Sequence, residues 1–420
     1  MQCQSKNRMR YTTLAVLLAF VLPAHSENWP QFRGARGDGI STESNVPVQW
    51  DTTKNVAWKT PIGEGHSSPT VWERSVFLTT ATKNGQRSLV RLDTVTGKIA
   101  WQQVAVIAPV ENMHRENSAA SSTPVIDGTC IFTSFQNGNR IDLQCYDFTG
   151  RKIWSTQPLT FRGMHGYSYT PVLFRDLVIY DISQNDQSAV LALDKKTGQQ
   201  RWRYTRKKQE ISHVTPIITD GPKPQLIVCG GDEVRGFDPL TGRSLWWAGG
   251  PTDVCVAGIS FGEDTVFVNG GYPRKTRMAV KTTGSGDVTQ THVSWTTGRE
   301  VSYVPSPVYH NGYVYTVVDD GLVYCFDAKS GNATWNHRIG GRFRSSLVMA
   351  NGNIYATNDK GLTTVFRATP ERFTPVATNN LAELCYATPA ISNGRIYMRT
   401  GTQLYCIATP SAPLRGQAGK

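Results

Sequence analysis

Between Pro307 and Asn336 the chain alternates short apolar runs with Gly turns. The runs are Pro307-Val308-Tyr309, Tyr313 to Val318, Leu322 to Phe326 and Asn332 to Asn336, separated by His310-Asn311-Gly312, Asp319-Asp320-Gly321 and Ala328 to Gly331. Runs this short, rich in β-branched and aromatic residues, predict four antiparallel strands in one sheet. No stretch of the chain carries a helical period of apolar positions, so the pattern predicts an all-β protein.

The last turn of that unit recurs. Leu92-Asp93-Thr94-Val95-Thr96-Gly97 leads to Trp101, Leu193-Asp194-Lys195-Lys196-Thr197-Gly198 to Trp202, Phe237-Asp238-Pro239-Leu240-Thr241-Gly242 to Trp246, and Phe326-Asp327-Ala328-Lys329-Ser330-Gly331 to Trp335. A shorter copy runs from Tyr146-Asp147 through Gly150 to Trp154. Asp and Thr side chains bond back to turn amides, and Gly takes the positive φ that closes a short hairpin. The Trp is expected on an outer strand, filling the gap to a neighbouring unit. Looser copies precede Trp295, where Lys281 to Gly286 replaces the tight turn, and Thr369-Pro370-Glu371-Arg372 stands in place of the turn in the next unit but one.

Each unit opens with a short strand marked by Ser/Thr-Pro at Ser68-Pro69, Thr123-Pro124, Thr170-Pro171, Thr215-Pro216, Ser306-Pro307 and Thr388-Pro389. Gly258-Ile259-Ser260 and Ser345-Ser346-Leu347 are openings without proline. Eight four-stranded units at a period of about 46 residues predict an eight-bladed β-propeller. The eighth unit stops after Leu404-Tyr405-Cys406-Ile407, whereas Lys54 to Thr60 supplies an outer strand, with Trp58, that no inner strands precede. The N-terminal strand is therefore expected to complete the last blade and close the ring, which removes exposed sheet edges.

Flanking segments divide the chain further. Lys6, Arg8 and Arg10 precede the apolar run Leu14 to Leu22 and the small-residue site Pro23-Ala24-His25-Ser26, the pattern of an export signal over residues 1–26. Residues 27–53 are expected to form an irregular clasp, 54–409 the propeller and 410–420 a disordered Pro/Gly tail. No other run approaches the length of a membrane span. Net charge is +12, and +9 without the signal's three cations. Export argues against nucleic acid and directs a basic surface towards anionic envelope components or protein.

Seven of the eight cysteines follow the signal. Cys145, Cys325 and Cys406 share the repeat slot that holds Ala192 and Gly236 elsewhere, as small buried residues would. If Asn137-Gly138 is a two-residue turn, Cys130 faces Cys145 within disulfide reach.

The pattern Asp-x-x-Thr-Gly-(Lys/Arg)-x-x-Trp is similar to the repeat of the PQQ-like (quinoprotein-type) propellers, over about residues 54–408. The opening Asn28-Trp29-Pro30-Gln31-Phe32-Arg33-Gly34 resembles that of exported bacterial BamB-like members. The resemblance implies two kinds of relative: quinoprotein alcohol dehydrogenases, which hold PQQ with calcium, and BamB, a lipoprotein scaffold of outer-membrane assembly. The chain lacks the adjacent Cys-Cys of the dehydrogenases and a recognisable calcium-binding carboxylate set, and it lacks the lipidated Cys of BamB.

Propeller ligands gather where the innermost strands begin. The positions three residues before each opening bring His66, Ser121, Ser168, His213, Val256, Val304, Arg344 and Tyr386 to that mouth, with His114, Glu116, Asn117, His165, Tyr167 and Tyr303 nearby. His66 and His213, three blades apart, stand about 135° apart around the axis and are poorly placed to share a metal. Several imidazoles predict pH-sensitive binding between about pH 5 and 8. No His-Glu-x-x-His, Walker loop or Cys-x-x-Cys is present. The reading is a non-enzymatic exported scaffold that binds a protein or envelope component without a cofactor. The alternative is a quinoprotein-like oxidoreductase or a glycan-acting enzyme at the same mouth.

Overall fold

A computed structural model describes residues 27–207 and 211–410; the expected export signal and nearly all of the expected tail lie outside them. The described residues contain strands and no helix, arranged as eight antiparallel blades of four strands around one axis. Blade 6 runs from the axis outward as Val308–His310, Tyr313–Val317, Leu322–Asp327 and Ala333–Arg338. The middle strands are buried on both faces because blades stack on either side, which is why they read as continuous apolar runs. The outer strand has neighbours only on its inner edge and is largely exposed.

Ring closure follows the expected route. Val56–Pro61 pairs with Gln403–Ala408, placing Trp58 opposite Cys406, so the first strand of the propeller is the outer strand of blade 8.

The repeated turn has a measurable purpose. Asp194 Oδ1 accepts the Lys196 and Thr197 amides at 3.0 and 2.9 Å, and Gly198, at φ 71°, donates its amide to the Asp194 carbonyl. The Trp of the preceding blade lies against that turn: Trp154 Nε1 donates to the Lys195 carbonyl at 2.8 Å, and Trp202 Nε1 to the Pro239 carbonyl at 3.1 Å. The same bond joins Trp58 to Thr94, Trp101 to Phe148, Trp295 to Ala328 and Trp335 to Thr369. A β-carbon at Gly242 would stand 2.5 Å from the Trp202 ring, so glycine is required there by both conformation and space. The slot shared by the cysteines lies opposite these indoles: Cys145 faces Trp154, Cys325 faces Trp335, Ala192 faces Trp202 and Gly236 faces Trp246.

Two details depart from expectation. Asn137 pairs with Arg140, so the turn is Gly138-Asn139, and Cys130 stands opposite Asp147 while Cys145 stands opposite Phe132. Cys130 and Cys145, like the other cysteines of the described residues, are free thiols; a shift of two residues in register makes these two diagonal rather than facing neighbours. In blade 5 the loosened turn becomes a fifth strand for its neighbour: Gly286–Asp287 pairs in parallel with Trp246 and Trp247. Trp246 is thereby fully buried and donates to Gln225 Oε1 at 2.6 Å instead of to a turn carbonyl. A cavity of about 750 Å³ opens on the outside of the ring beside the altered turn, lined by Arg175, Lys223, Arg243 and Thr282 to Ser285 among others.

Candidate functional site

The Ser/Thr residues that open the blades form the wall of the axial channel. The Ser68 amide donates to Thr123 Oγ1 (3.0 Å), Thr123 to Thr170 Oγ1 (3.1 Å), Gly258 to Ser306 Oγ (2.7 Å), Ser306 to Ser346 Oγ (3.1 Å), Ser346 to Thr388 Oγ1 (3.0 Å), and Thr388 back to Ser68 Oγ (3.0 Å). Each hydroxyl satisfies an inner-strand amide of the preceding blade that would otherwise lie buried without a partner. The opening hydroxyls are therefore structural, and the chemistry has to come from the residues just before them.

The N-terminal segment closes the far end. Trp29 bridges to Val71, the Ile126 amide donates to the Pro30 carbonyl, and Ile40–Ser41 pairs in parallel with Met349–Ala350. The Arg33 guanidinium is buried and donates to the carbonyls of Asp38 and Pro307; burial lowers its pKa to about 10. Phe32 lines the channel itself, a space of about 150 Å³. These contacts lie where the inner strands finish, so the N-terminal segment lies across the end of the channel away from the mouth.

The mouth adds a cavity of about 290 Å³ continuous with the channel through Ser168, His213, Val256, Val304 and Arg344. The two longest links between blades, residues 108–124 and 157–171, build its rim. Glu116, on the first of them, reaches residues of the blade 6–7 link: Oε1 meets Arg342 Nη2 at 2.6 Å and Oε2 meets Arg344 Nε at 2.9 Å. Arg344 Nη1 lies 3.4 Å from Asp319 Oδ1, and Asp319 Oδ2 accepts the Tyr303 amide at 2.8 Å. The Arg344 hydrogen bond, ahead of that from Arg342, holds the Glu116 carboxyl below its usual range. These four charges cancel. Asn117 Nδ2 caps the His165 carbonyl at 2.7 Å, which joins the two rim loops.

Opposite this network stands a row of rings. His114 and His165 are 5.7 Å apart between centroids, His165 and His213 6.2 Å, and His213 stacks on Tyr169 at 5.5 Å. His213 Nδ1 shares a 2.9 Å hydrogen bond with Ser168 Oγ, and its buried Nε2 lacks a protein partner. Burial pushes His213 down to about 4, with the neighbouring His165 a smaller cause. His66, edge-on to Tyr386 at 4.9 Å, is also pushed to about 4, by burial first and by the Arg399 cation second. His165 is lowered by burial and then by His114. Burial therefore draws His66 and His213 below the window in which free imidazoles titrate.

Of the anticipated residues, Glu116, Asn117, His165, His213, Tyr303 and Arg344 line the upper cavity, and His66 and Tyr386 line the channel below with His213 and Arg344. Tyr167 does not join them: it is buried in the apolar cluster between blades 2 and 3 against Phe161 and Tyr169. Asp319 and Arg342 went unforeseen, Asp319 because it sits in a turn that reads as a simple Asp-Asp-Gly reversal. The spacing Gly258-Ile259-Ser260-Phe261-Gly262 matches a nucleophile-elbow pattern, yet Ser260 is fully buried on the innermost strand of blade 5 with no helix after it.

A calcium-held quinone needs a cluster of free carboxylates and donors. Among the described residues no group of three or more His, Cys, Asp or Glu is arranged to hold a metal ion, and both mouth carboxylates are bound to arginines. The residues present do not fit that cofactor. The outer cavity at the blade 4–5 junction is larger, but it gathers no comparable set of perturbed titratable groups; we therefore place the candidate site at the mouth.

Fold and site define a PQQ-repeat propeller with an axial channel and a mouth at one end. The family model for outer membrane protein assembly factor BamB matches residues 39–141, 116–254 and 231–372, and the chain belongs to that family. No curated protein matches it. Among solved structures, BamB from Moraxella catarrhalis is similar at 14% identity and a TM-score of 0.59, covering 84% of this chain and 99% of that one. Quinohemoprotein alcohol dehydrogenase from Comamonas testosteroni is similar at 12% identity and a TM-score of 0.63, covering 94% and 82%. The computationally designed Ika8 protein is similar at 11% identity and a TM-score of 0.58, covering 88% and 99%. At such identities the likeness concerns the fold.

Proposed function

We propose that this protein is an exported, non-enzymatic scaffold that binds a polypeptide segment of an envelope partner at the channel mouth. The observation that carries the reading is the character of the mouth: a cavity whose charges compensate one another. Val254, Val256, Val304 and Tyr303 supply apolar wall, and the imidazoles of His165 and His213 add hydrogen-bonding edges. Such a surface suits a mixed polar and apolar chain segment better than a polyanion, which would need uncompensated cations. An anionic envelope component is accordingly the weaker partner class, and among the described residues the mouth offers glycan hydrolysis no free pair of carboxylates. Export rests on the basic and apolar leader in the sequence and on membership of the BamB family.

The test is capture from envelope extract by the immobilised protein, beside its Arg344→Ala variant. The expected result is a protein retained by the first and lost by the second. Equal retention by both would move the interface to the outer groove at blades 4 and 5. Calorimetry with PQQ and calcium addresses the oxidoreductase rival directly: micromolar binding, with dye-linked alcohol oxidation, would replace the scaffold reading.

A further inference from the structure

We propose that Cys229 and Cys255 form a disulfide that staples the wall of the mouth. Cys229 ends the second strand of blade 4, Leu226–Cys229; Cys255 lies in the link to blade 5, between the mouth residues Val254 and Val256. Their sulfurs are 3.4 Å apart, and the residues are 1% and 0% exposed. Neither position belongs to the slot that faces the repeat tryptophans, so packing against an indole does not account for them. The surrounding backbone is already drawn together: Ser212 Oγ donates to the Cys229 carbonyl (3.2 Å) and the Cys255 carbonyl (2.8 Å), and the His213 amide donates to the Cys255 carbonyl at 2.8 Å. Both are free thiols in this structure, with their sulfurs already in contact, and a disulfide requires that contact to shorten to a bond of about 2 Å.

Formation is a two-electron oxidation. The two thiols lose two protons, an S–S bond forms, and the electrons pass by thiol–disulfide exchange to an external disulfide, which leaves as two thiols. An exporting compartment supplies such oxidants. Because both sulfurs are shielded in the folded ring, the bond forms while blades 4 and 5 assemble. It holds the segment carrying Val254 and Val256 to the blade that carries His213.

The full chain is refolded from the reduced, denatured state in a mixture of reduced and oxidised glutathione, alkylated in denaturant without reductant, and mapped by mass spectrometry. The expected result is loss of alkylation at Cys229 and Cys255 together, with their peptides recovered as one linked species that reduction separates, while Cys325, Cys385 and Cys406 are alkylated. In Cys229→Ser, Cys255 should regain its label; the mapping on the unaltered chain stands even if that variant misfolds. Full alkylation of both cysteines, or their linkage to other cysteines, overturns the proposal.

Discussion

The rim of the propeller and its mouth solve opposite problems. At the rim, blade after blade repeats one device: an Asp-bound turn, a Gly at positive φ, and the preceding blade's Trp laid on that Gly with its indole N–H on a turn carbonyl. At the mouth, eight equivalent positions carry five residue types, from Val256 and Val304 to His66, His213 and Arg344. A repeat that must stack on its neighbour is constrained at every copy, whereas positions that meet only at the axis are free to diverge. Repetition marks what folds the ring, and departure from repetition marks where a ligand is to be sought.

The largest expected effect breaks the ring itself. Deleting residues 27–61 removes the clasp and the strand paired with Gln403–Ala408, leaving an edge that templates aggregation. Size-exclusion chromatography should show loss of the soluble monomer; a monomer melting like the parent would refute closure. Next, Trp202→Ala empties a well-covered site between blades 3 and 4 and should cost about 3–5 kcal/mol in denaturant unfolding, as buried Trp truncations do. Gly242→Ala keeps the indole but forces a β-carbon towards it at φ 69°, and should cost about 1–3 kcal/mol. A neutral outcome for either would detach the rim device from stability.

Near neutral pH the smallest effect comes from the mouth. His66 and His213 have folded pKa values of about 4, below the ordinary 6.5, so the unfolded chain binds their protons first. Their stability contribution is complete above about pH 6.5 and is lost as pH falls towards 4, by at most about 1.4 kcal/mol per pH unit for each group. His213→Gln should flatten that part of the stability profile, measured by denaturant titration at successive pH values. An unchanged slope would mean that the ring is solvated rather than buried.

How far the sequence revealed this molecule follows the same division. Eight blades and an outer-strand Trp filling the gap to the next blade were readable because each is stated several times over in the chain, and ring closure because the unclaimed Trp58 strand and the missing outer strand of blade 8 answer one another. The Gly138-Asn139 turn was misread by one residue, since Asn137-Gly138 and Gly138-Asn139 both suit a tight hairpin and only the packing of Phe132 and Cys145 against Trp154 decides. The mouth was legible as a set of positions but not as a network. Glu116 meets Arg342 and Arg344 across 226 and 228 residues of sequence, a pairing no local pattern contains, and Tyr167 turned inward because Phe161 and Tyr169 offer it an apolar bed. The pair Cys229 and Cys255 is likewise a product of blade stacking.

Thermal melting and envelope-partner capture, measured together on Gly242→Ala and on Arg344→Ala, separate a rim that folds the protein from a mouth that performs its function. The expected result is a lowered melt with capture retained for the first, and a melt within a few degrees of the parent with capture abolished for the second. Capture undiminished in Arg344→Ala, or lost only in step with stability in both variants, would contradict it.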